Sequence, residues 1–295
     1  MISWVFLSIL AALIWGVVNV VDKYVLTKWV KNPIVPVIFT GIIGITAGTI
    51  ILLLHDFIPI TGFNLALVII AGIIHTTMTW LFFASVKYGE VSRVVPVFYL
   101  TPIFVLVLAA IFLGEVFSPI KYVGIALLII GAIAVSIKFP FKIELGKGFW
   151  FMFAAAIASA IVAVMTKYLL NSSDYWTVFA YMKISSVFVL IPVLYFYLPD
   201  LIAIGRKHGK KAITIMAANE AVNIFALFLF TIATAIGFVT LAQSLTSIQP
   251  FFVLLFAVTL SIFFPKILKE EVTRKTVILK VIAIAIVVVG AILVT

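Results

Sequence analysis

Long apolar segments recur along the entire chain, and they limit the folds that this sequence can adopt. Each segment has about 20 residues, which as a helix is long enough to cross the roughly 30 Å hydrocarbon layer of a bilayer. Because 65% of the 295 residues are apolar and only 10% are charged, a water-soluble domain would expose too much apolar surface. We therefore predict an all-α polytopic membrane protein.

Hydropathy and the positions of glycine and proline divide the chain into ten predicted spans. Their approximate bounds are 2–22, 33–54, 64–86, 93–113, 119–137, 148–170, 176–198, 212–235, 239–264 and 276–295. The first segment lacks the basic region and the clear cleavage site of a signal peptide, so we expect it to be retained as a span.

Several classes of function are excluded by what the sequence lacks. It has no cysteine, which excludes disulfides, thiolate metal sites and a cysteine nucleophile. It contains no P-loop, HExxH or GxSxG motif, so we predict neither an enzyme, nor a cofactor, nor a bound metal. The net charge of +10 is explained by basic loops of a membrane protein, so no nucleic-acid partner is predicted.

The two halves of the chain resemble each other. Residues 15–26, WGVVNVVDKYVL, align with residues 159–170, SAIVAVMTKYLL, including the Lys-Tyr pair in each. Residues 89–109 align without a gap with residues 237–257, which matches Gly89 with Gly237 and Pro102 with Pro250. We predict two five-helix repeats, residues 1–138 and 139–295.

Five is an odd number, so consecutive copies of such a unit enter the membrane in opposite orientations. Inverted repeats of this kind are typical of secondary transporters, whose substrate site lies near the bilayer midplane between the halves. The duplication therefore predicts alternating access.

Basic residues are distributed unevenly among the predicted loops. Loops after even-numbered spans contain only Lys121 and Lys167, whereas the other loop lysines and arginines follow odd-numbered spans. The positive-inside rule then predicts that the odd-numbered loops are cytoplasmic and that both termini are outside. We expect a multi-pass protein of the plasma membrane.

Residues 84–136 resemble the EamA-type repeat of the drug/metabolite transporter superfamily. The matching elements are Gly89, Pro96, Pro102, the turn at residues 113–115 and the later glycines, Gly124 and Gly131. The resemblance implies a ten-helix transporter of small metabolites such as amino acids, with export as the favoured direction. It also implies termini inside, which differs from the orientation that the loop charges predict.

The second copy departs from the pattern of the first. Ser244 stands at the position equivalent to Pro96, and the turn there reads LKEE at residues 268–271. We expect the fold to be the same, with gating that is not symmetric. Glu115, Glu270 and Glu271 lie in loops next to basic residues and are predicted to form gate or surface pairs.

Glu220 is the most unusual residue of the predicted spans. It lies nine residues after Lys211, about 13 Å along a helix and well inside the hydrocarbon. An ionised carboxylate there must face a cavity, have a partner or be protonated. One alternative is a role in proton coupling or in binding a substrate amine; the other is an interhelical hydrogen bond with Asn219 and Asn223 as neighbours.

Two further ionisable residues lie within predicted spans. Lys183 is a potential partner of Glu220, although we favour a side chain that snorkels to the near interface. His75 falls near the middle of the third span, and the repeat alignment places it opposite Asn223. It either faces the cavity or satisfies a structural hydrogen bond.

Other polar and helix-breaking residues are predicted around the same cavity. The predicted substrate-binding residues are Trp15, Asn19, His75, Tyr99, Asn219, Glu220, Asn223, Gln243 and Gln249, and the predicted helix-break or gating residues are Pro96, Pro102 and Pro250. Polar packing between helices is the alternative for each side chain. Gly41, Gly44 and Gly48 share one face of the second span and predict close helix packing.

The sequence favours a secondary-active transporter that moves a small metabolite, such as an amino acid, by alternating access. Proton coupling stays open through Glu220, and the expected partners are the substrate, the bilayer and protons. One alternative is a flippase for a lipid or a lipid-linked carrier, although the spans contain no basic cluster for a phosphate headgroup. The other is a non-transporting membrane protein that retains the fold.

Overall fold

The computed structural model describes residues 3–30, 32–89, 91–136, 145–263 and 274–295, and in these ranges it contains helices and no strand. The helices are α1 (Trp4–Lys28), α2 (Val35–Leu54), α3 (Gly62–Tyr88), α4 (Val91–Phe98), α5 (Thr101–Leu113), α6 (Pro119–Ser136), α7 (Lys147–Leu170), α8 (Tyr175–Ile184), α9 (Val187–Ile236), α10 (Val239–Leu245), α11 (Gln249–Phe263) and α12 (Arg274–Val294). The predicted repeat boundary at residues 138 and 139 lies outside the described residues.

The described chain has eight helical segments that are long and apolar enough to cross a membrane, and Leu279–Val294 forms a shorter apolar helix. The prediction of an all-helical polytopic membrane protein is therefore confirmed. One of the eight segments, Tyr175–Ile236, has 62 residues, far more than a single crossing requires.

Gly209 divides that long segment. It has φ 74° and ψ −179°, a backbone conformation that only glycine adopts without strain, and it separates α9 into two helical arms. The sequence predicted a loop between residues 198 and 212, but the helix continues up to Gly209 and resumes directly after it. The boundaries of the two adjoining spans were therefore wrong by about a helical turn or more.

Two helices are broken at matching positions. α4 ends at Phe98 and α5 begins at Thr101, so that Pro102 occupies the first turn of α5. Residues Thr246–Ile248 form a 3₁₀ turn between α10 and α11, and Pro250 lies in the first turn of α11. The missing proline N–H is tolerated there because first-turn donors have no intrahelical partner. The expected break at Pro96 was wrong, because this residue lies inside α4.

The helices pack in reciprocal pairs. α1 packs against α9 and α11, whereas α7 packs against α3 and α5. α6 packs against α12, and α2 packs against α8 and α9. The predicted close approach at the α2 glycines is confirmed, because a Cβ atom at Gly48 would lie 2.8 Å from the carbonyl oxygen of Ala180.

Candidate functional site

A central cavity with a volume of about 200 Å³ lies between α1, α3, α7, α9 and the two broken helices. Seven of the nine predicted binding residues line it: Trp15, Asn19, His75, Tyr99, Asn223, Gln243 and Gln249. Pro102 also lines it, whereas Pro96 and Pro250 do not contribute to its wall. The polar side chains thus share one cavity within an apolar helical bundle.

The remaining two predicted residues line an adjacent pocket. Asn219 and Glu220 enclose a space of about 20 Å³ between α1, α2 and α9. Asp22 and Phe83 belong to the walls of both spaces, so the small pocket adjoins the central cavity through them. A space of this volume is large enough for about one water molecule.

A chain of hydrogen bonds connects the cavity wall to Glu220. Trp15 on α1 donates from Nε1 to Oδ1 of Asn223 at 3.0 Å. Asn223 in turn donates from Nδ2 to Oε1 of Glu220 at 3.1 Å, one helical turn away on α9. The bond between Asn223 and Glu220 lies within α9, whereas Glu220 also has a side-chain hydrogen bond with Thr40 on α2, which is the interhelical bond of the expected alternative.

Asp22 is a second carboxylate at this site, and sequence reasoning did not select it. Its Oδ1 accepts a hydrogen bond of 2.8 Å from Nδ2 of Asn219, and its charge interacts with that of Glu220. The residue was overlooked because it precedes Lys23 at the predicted end of the first span. The spacing of Trp15, Asn19 and Asp22, at intervals of four and three, is the signal that places all three on one helix face.

Lys183 on α8 supplies the positive charge of the cluster. Its side chain is only 2% exposed, and its ammonium lies 5.7 Å from the ring centroid of Phe179. It interacts electrostatically with both Glu220 and His75. The interpretation of Lys183 as a residue that snorkels to the interface was wrong.

His75 on α3 completes this group of ionisable residues. It is 9% exposed, lies on the wall of the central cavity and faces the charge of Lys183. The group therefore draws on four elements: Asp22 from α1, His75 from α3, Lys183 from α8 and Glu220 from α9. We call these four residues the buried charge cluster.

The other predicted wall residues are held near the helix breaks. Tyr99 follows the end of α4, and its hydroxyl hydrogen-bonds with Ser136. Gln243 on α10 donates from Nε2 to Oγ1 of Thr246 at 3.2 Å. Gln249 begins α11 directly after the 3₁₀ turn. Both breaks thus present polar groups to the cavity.

Glu115 does not belong to this cluster, and it is not a surface residue. It is 4% exposed, and its carboxylate accepts hydrogen bonds from the backbone N–H groups of Val239 at 2.9 Å and Thr240 at 3.1 Å. The expectation of a surface pair for Glu115 was wrong, because the residue caps the N-terminus of α10. Glu270 and Glu271 lie outside the described residues.

Comparisons with known proteins match the first half of the chain. Residues 2–137 match the EamA-like transporter family. An uncharacterized protein of Methanocaldococcus jannaschii is 33% identical over 135 residues, which are 45% of this chain and 96% of the relative. The chain belongs to the EamA-like transporter family.

A solved crystal structure of another protein has the same fold as this EamA-like chain. The TM-score is 0.73 at 16% sequence identity, and the alignment covers 99% of this chain and 97% of the other. The likeness therefore extends beyond the half that matches the family, and at this identity it concerns the fold alone.

Membership of the EamA-like family makes the protein an integral membrane transporter of the drug/metabolite transporter superfamily. EamA-like proteins are not an enzyme family. The matched residues include the cavity positions on α1 and α3, whereas Lys183 and Glu220 lie beyond them. The buried charge cluster thus combines residues from the matched half with residues from the rest of the chain.

Proposed function

We propose that the protein is a secondary-active transporter that carries a small organic metabolite across the membrane by alternating access. The observation that carries this proposal is a cavity of about 200 Å³, lined in part by polar side chains, inside an apolar helical bundle. Polar groups within a membrane are costly unless they serve a partner or a ligand, and broken helices are tolerated where they line a cavity. An amine-bearing solute suits the carboxylates of this site.

The proposal includes ten spans in two inverted repeats. The ends of α3 and α9 support it, because Gly89 (φ −131°, ψ 162°) and Gly237 (φ −123°, ψ 178°) have nearly the same backbone conformation. Each glycine precedes a short helix that breaks before Pro102 or Pro250. The repeat alignment also pairs His75 with Asn223, and both line the cavity.

The charges of the loops support an orientation. The loops after odd-numbered spans hold most of the basic residues, and we propose that they face the cytoplasm of the plasma membrane. In this arrangement both termini are outside. The proposed direction of transport is export.

The charge balance of the site supports proton coupling. In the buried charge cluster, Glu220 interacts with the carboxylate of Asp22 and with the ammonium of Lys183, and Lys183 also interacts with His75. Two ionised carboxylates and one ammonium leave an uncompensated negative charge, which is unfavourable in the membrane interior. A proton or the protonated amine of a substrate supplies the missing positive charge.

The test uses proteoliposomes that contain a pH-sensitive dye and receive a panel of labelled amino acids, amines and organic acids. We compare the natural protein with Glu220→Gln and with Asp56→Asn, which makes the same chemical change at an exposed residue between α2 and α3. We expect a solute-dependent pH change that Glu220→Gln abolishes and Asp56→Asn retains.

Two other outcomes contradict separate parts of the proposal. Movement of a labelled solute without a pH change contradicts proton coupling but agrees with transport. If no solute of the panel moves, the proposed transport of a small metabolite is wrong.

A further inference from the structure

The described wall of the central cavity has an acidic side chain but no lysine or arginine. Among the described residues that line the cavity, Asp22 is the acidic side chain, and His75 and Tyr99 are the other ionisable groups. Lys183 approaches the cluster from α8, but it does not line the central cavity. A ligand in this space therefore meets a carboxylate and meets no lysine or arginine of the described wall.

The rest of the wall suits a small cation with an apolar body. Trp15, Phe82, Phe98 and Phe230 line the cavity, and aromatic rings attract cations as well as apolar groups. Asn19 lies one turn before Asp22 and offers an amide oxygen to an ammonium group. A cavity of about 200 Å³ is below the usual range for drug-sized ligands, so the occupant is small.

The wall is less suited to a carboxylate on the ligand. A buried carboxylate needs a cation or several free donors. The indole N–H of Trp15 bonds Asn223, one amide N–H of Gln243 bonds Thr246, and the described wall offers a carboxylate neither lysine nor arginine. The carboxylate of an amino acid would also be repelled by Asp22.

We infer that the substrate is a protonated organic amine without a carboxylate, and that Asp22 is its counter-ion in the central cavity. This inference rests on the proposed transport function and narrows its substrate class. An amine of this kind balances the charge cluster, whereas a zwitterion brings no net positive charge. Glu220 then acts on the ligand through the charge of the cluster rather than by direct contact.

Three probes that share a phenylalkyl body test the inference: phenethylamine, phenylalanine and 3-phenylpropionate. Their affinities for the purified protein are measured by isothermal titration calorimetry in detergent at one pH. We expect phenethylamine to bind at least tenfold more tightly than either of the others. Asp22→Asn should lose at least tenfold in affinity for the amine, and Asp56→Asn should retain it.

Asp22→Glu keeps the charge, so it should retain the preference for the amine. It shows whether a loss of affinity in Asp22→Asn comes from the lost charge or from a lost fold. The inference is overturned if phenylalanine binds as tightly as phenethylamine, if Asp22→Asn keeps the affinity, or if no probe binds. Transport of an amino acid in the dye-loaded liposomes would in that case leave the proposed function standing without this substrate class.

A second inference comes from the joint between α9 and α10. Two side chains from other elements hold this joint: Glu115 caps the start of α10, and Lys167 at the end of α7 binds the end of α9. Nζ of Lys167 donates to the carbonyl oxygens of Thr234 at 2.8 Å and Gly237 at 2.7 Å. The charges of Glu115 and Lys167 also interact with each other. We call this arrangement the clasp.

The lysine of the clasp behaves differently at the matching joint between α3 and α4, while Glu270, the residue equivalent to Glu115, lies outside the described residues. The repeat alignment pairs Lys167 with Lys23 and Gly237 with Gly89. The side chain of Lys23 is exposed, whereas Lys167 is half-buried in its joint. The two ends of the molecule therefore differ where their sequences correspond.

The clasped joint also contains two unsatisfied hydroxyl groups. The Oγ1 atoms of Thr234 and Thr240 are buried and have no hydrogen-bond partner among the described residues. Buried polar groups without partners are unfavourable. Opening of the joint would let these hydroxyl groups form hydrogen bonds. The open state is therefore closer in free energy to the closed state than it would be without them.

We propose that the clasp is a gate that closes the central cavity on the side of the α9–α10 joint. In the opposite state, Lys23 binds the carbonyl oxygens at the end of α3 and closes the other side. Glu115 and Lys167 are positioning residues in this account, because they act on the backbone of the joint and not on the substrate.

The absence of cysteine from the sequence makes the gate testable by single-cysteine labelling. Ser159→Cys places a thiol on the cavity wall at α7. A membrane-impermeant thiol reagent is added to one side of oriented proteoliposomes at a time. We expect Glu115→Gln and Lys167→Met to raise the labelling rate from the clasp side at least fivefold, and Lys23→Met to lower it.

A membrane-permeant reagent reports whether each variant keeps the thiol in a folded cavity. Asp56→Asn is the matched control on the clasp side and should leave the rate unchanged. Equal labelling rates in the clasp variants and in the control overturn this inference, as does a Lys23→Met variant that changes the rate in the same direction as Lys167→Met.

Discussion

At the scale of residues, the buried charge cluster affects both the stability of the protein and its proposed function. In the described cluster, the ammonium of Lys183 interacts with the carboxylate of Glu220, which in turn interacts with that of Asp22. Removing one partner of a buried charge pair leaves the other uncompensated, and this commonly costs about 3–5 kcal/mol. Stability and function are therefore coupled at the same four side chains.

Lys183→Met should destabilise the protein strongly, because it leaves the carboxylate of Glu220 without its ammonium. We expect a loss of about 3 kcal/mol in the free energy of unfolding, and the double variant Lys183→Met with Glu220→Gln should recover part of it. Thermal unfolding in detergent measures the differences. Lys207→Met changes an exposed residue and is the control; a Lys183→Met variant as stable as this control would contradict the ion-pair account.

Sequence reasoning found some residues of the site and missed others for identifiable reasons. Glu220, Asn223 and His75 stand out because polar residues are rare in apolar spans. Asp22 was not selected because its neighbour Lys23 indicated a loop, although α1 continues to Lys28. The role of Glu115 depends on backbone groups more than 120 positions away, and no local pattern contains that information.

At the scale of elements, small residues determine how closely the helices approach. Lipid chains are as apolar as leucine, so helix association in a membrane depends on van der Waals packing more than on the removal of apolar surface from water. Gly44 on α2 leaves room for Lys183, since a Cβ atom there would lie 3.3 Å from Cδ of that lysine. The packing of α2 thus allows the ammonium to reach the cluster.

Gly48→Ala should weaken the contact between α2 and α8. The added methyl group would lie 2.8 Å from the carbonyl oxygen of Ala180, so a helix must shift, and overpacking of this kind costs about 1–3 kcal/mol. Gly205→Ala is the matched control, because the nearest atom to its Cβ is at 3.8 Å. Thermal unfolding should show a lower melting temperature for Gly48→Ala alone; equal values would contradict the packing account.

The helix breaks could be predicted only in part from the sequence. The sequence located the breaks before Pro102 and Pro250, because proline lacks the N–H that a continuous helix needs. It did not show that α4 includes Pro96, because a proline inside a helix removes a backbone hydrogen bond and is therefore expected at a break. Nor did it show the turn at Gly209, where positive φ lets two arms meet without a loop.

At the scale of the whole molecule, the proposed inverted repeats fix which chain segments share a side of the membrane. Ten crossings place both termini and the turn between α7 and α8 on one side. They place the α1–α2 link and the turn at Gly209 on the other. A different number of crossings would separate these groups.

Single-cysteine labelling in intact cells tests this arrangement, since the natural sequence contributes no thiol. The exposed positions Ser172 and Thr295 should react with an impermeant reagent added outside, whereas Lys28 and Lys207 should react only after the membrane is permeabilised. The reason is the concentration of basic residues in the second group of loops. The reverse pattern would keep the ten spans and invert the proposed orientation, whereas labelling that divides either pair would refute the inverted repeat itself.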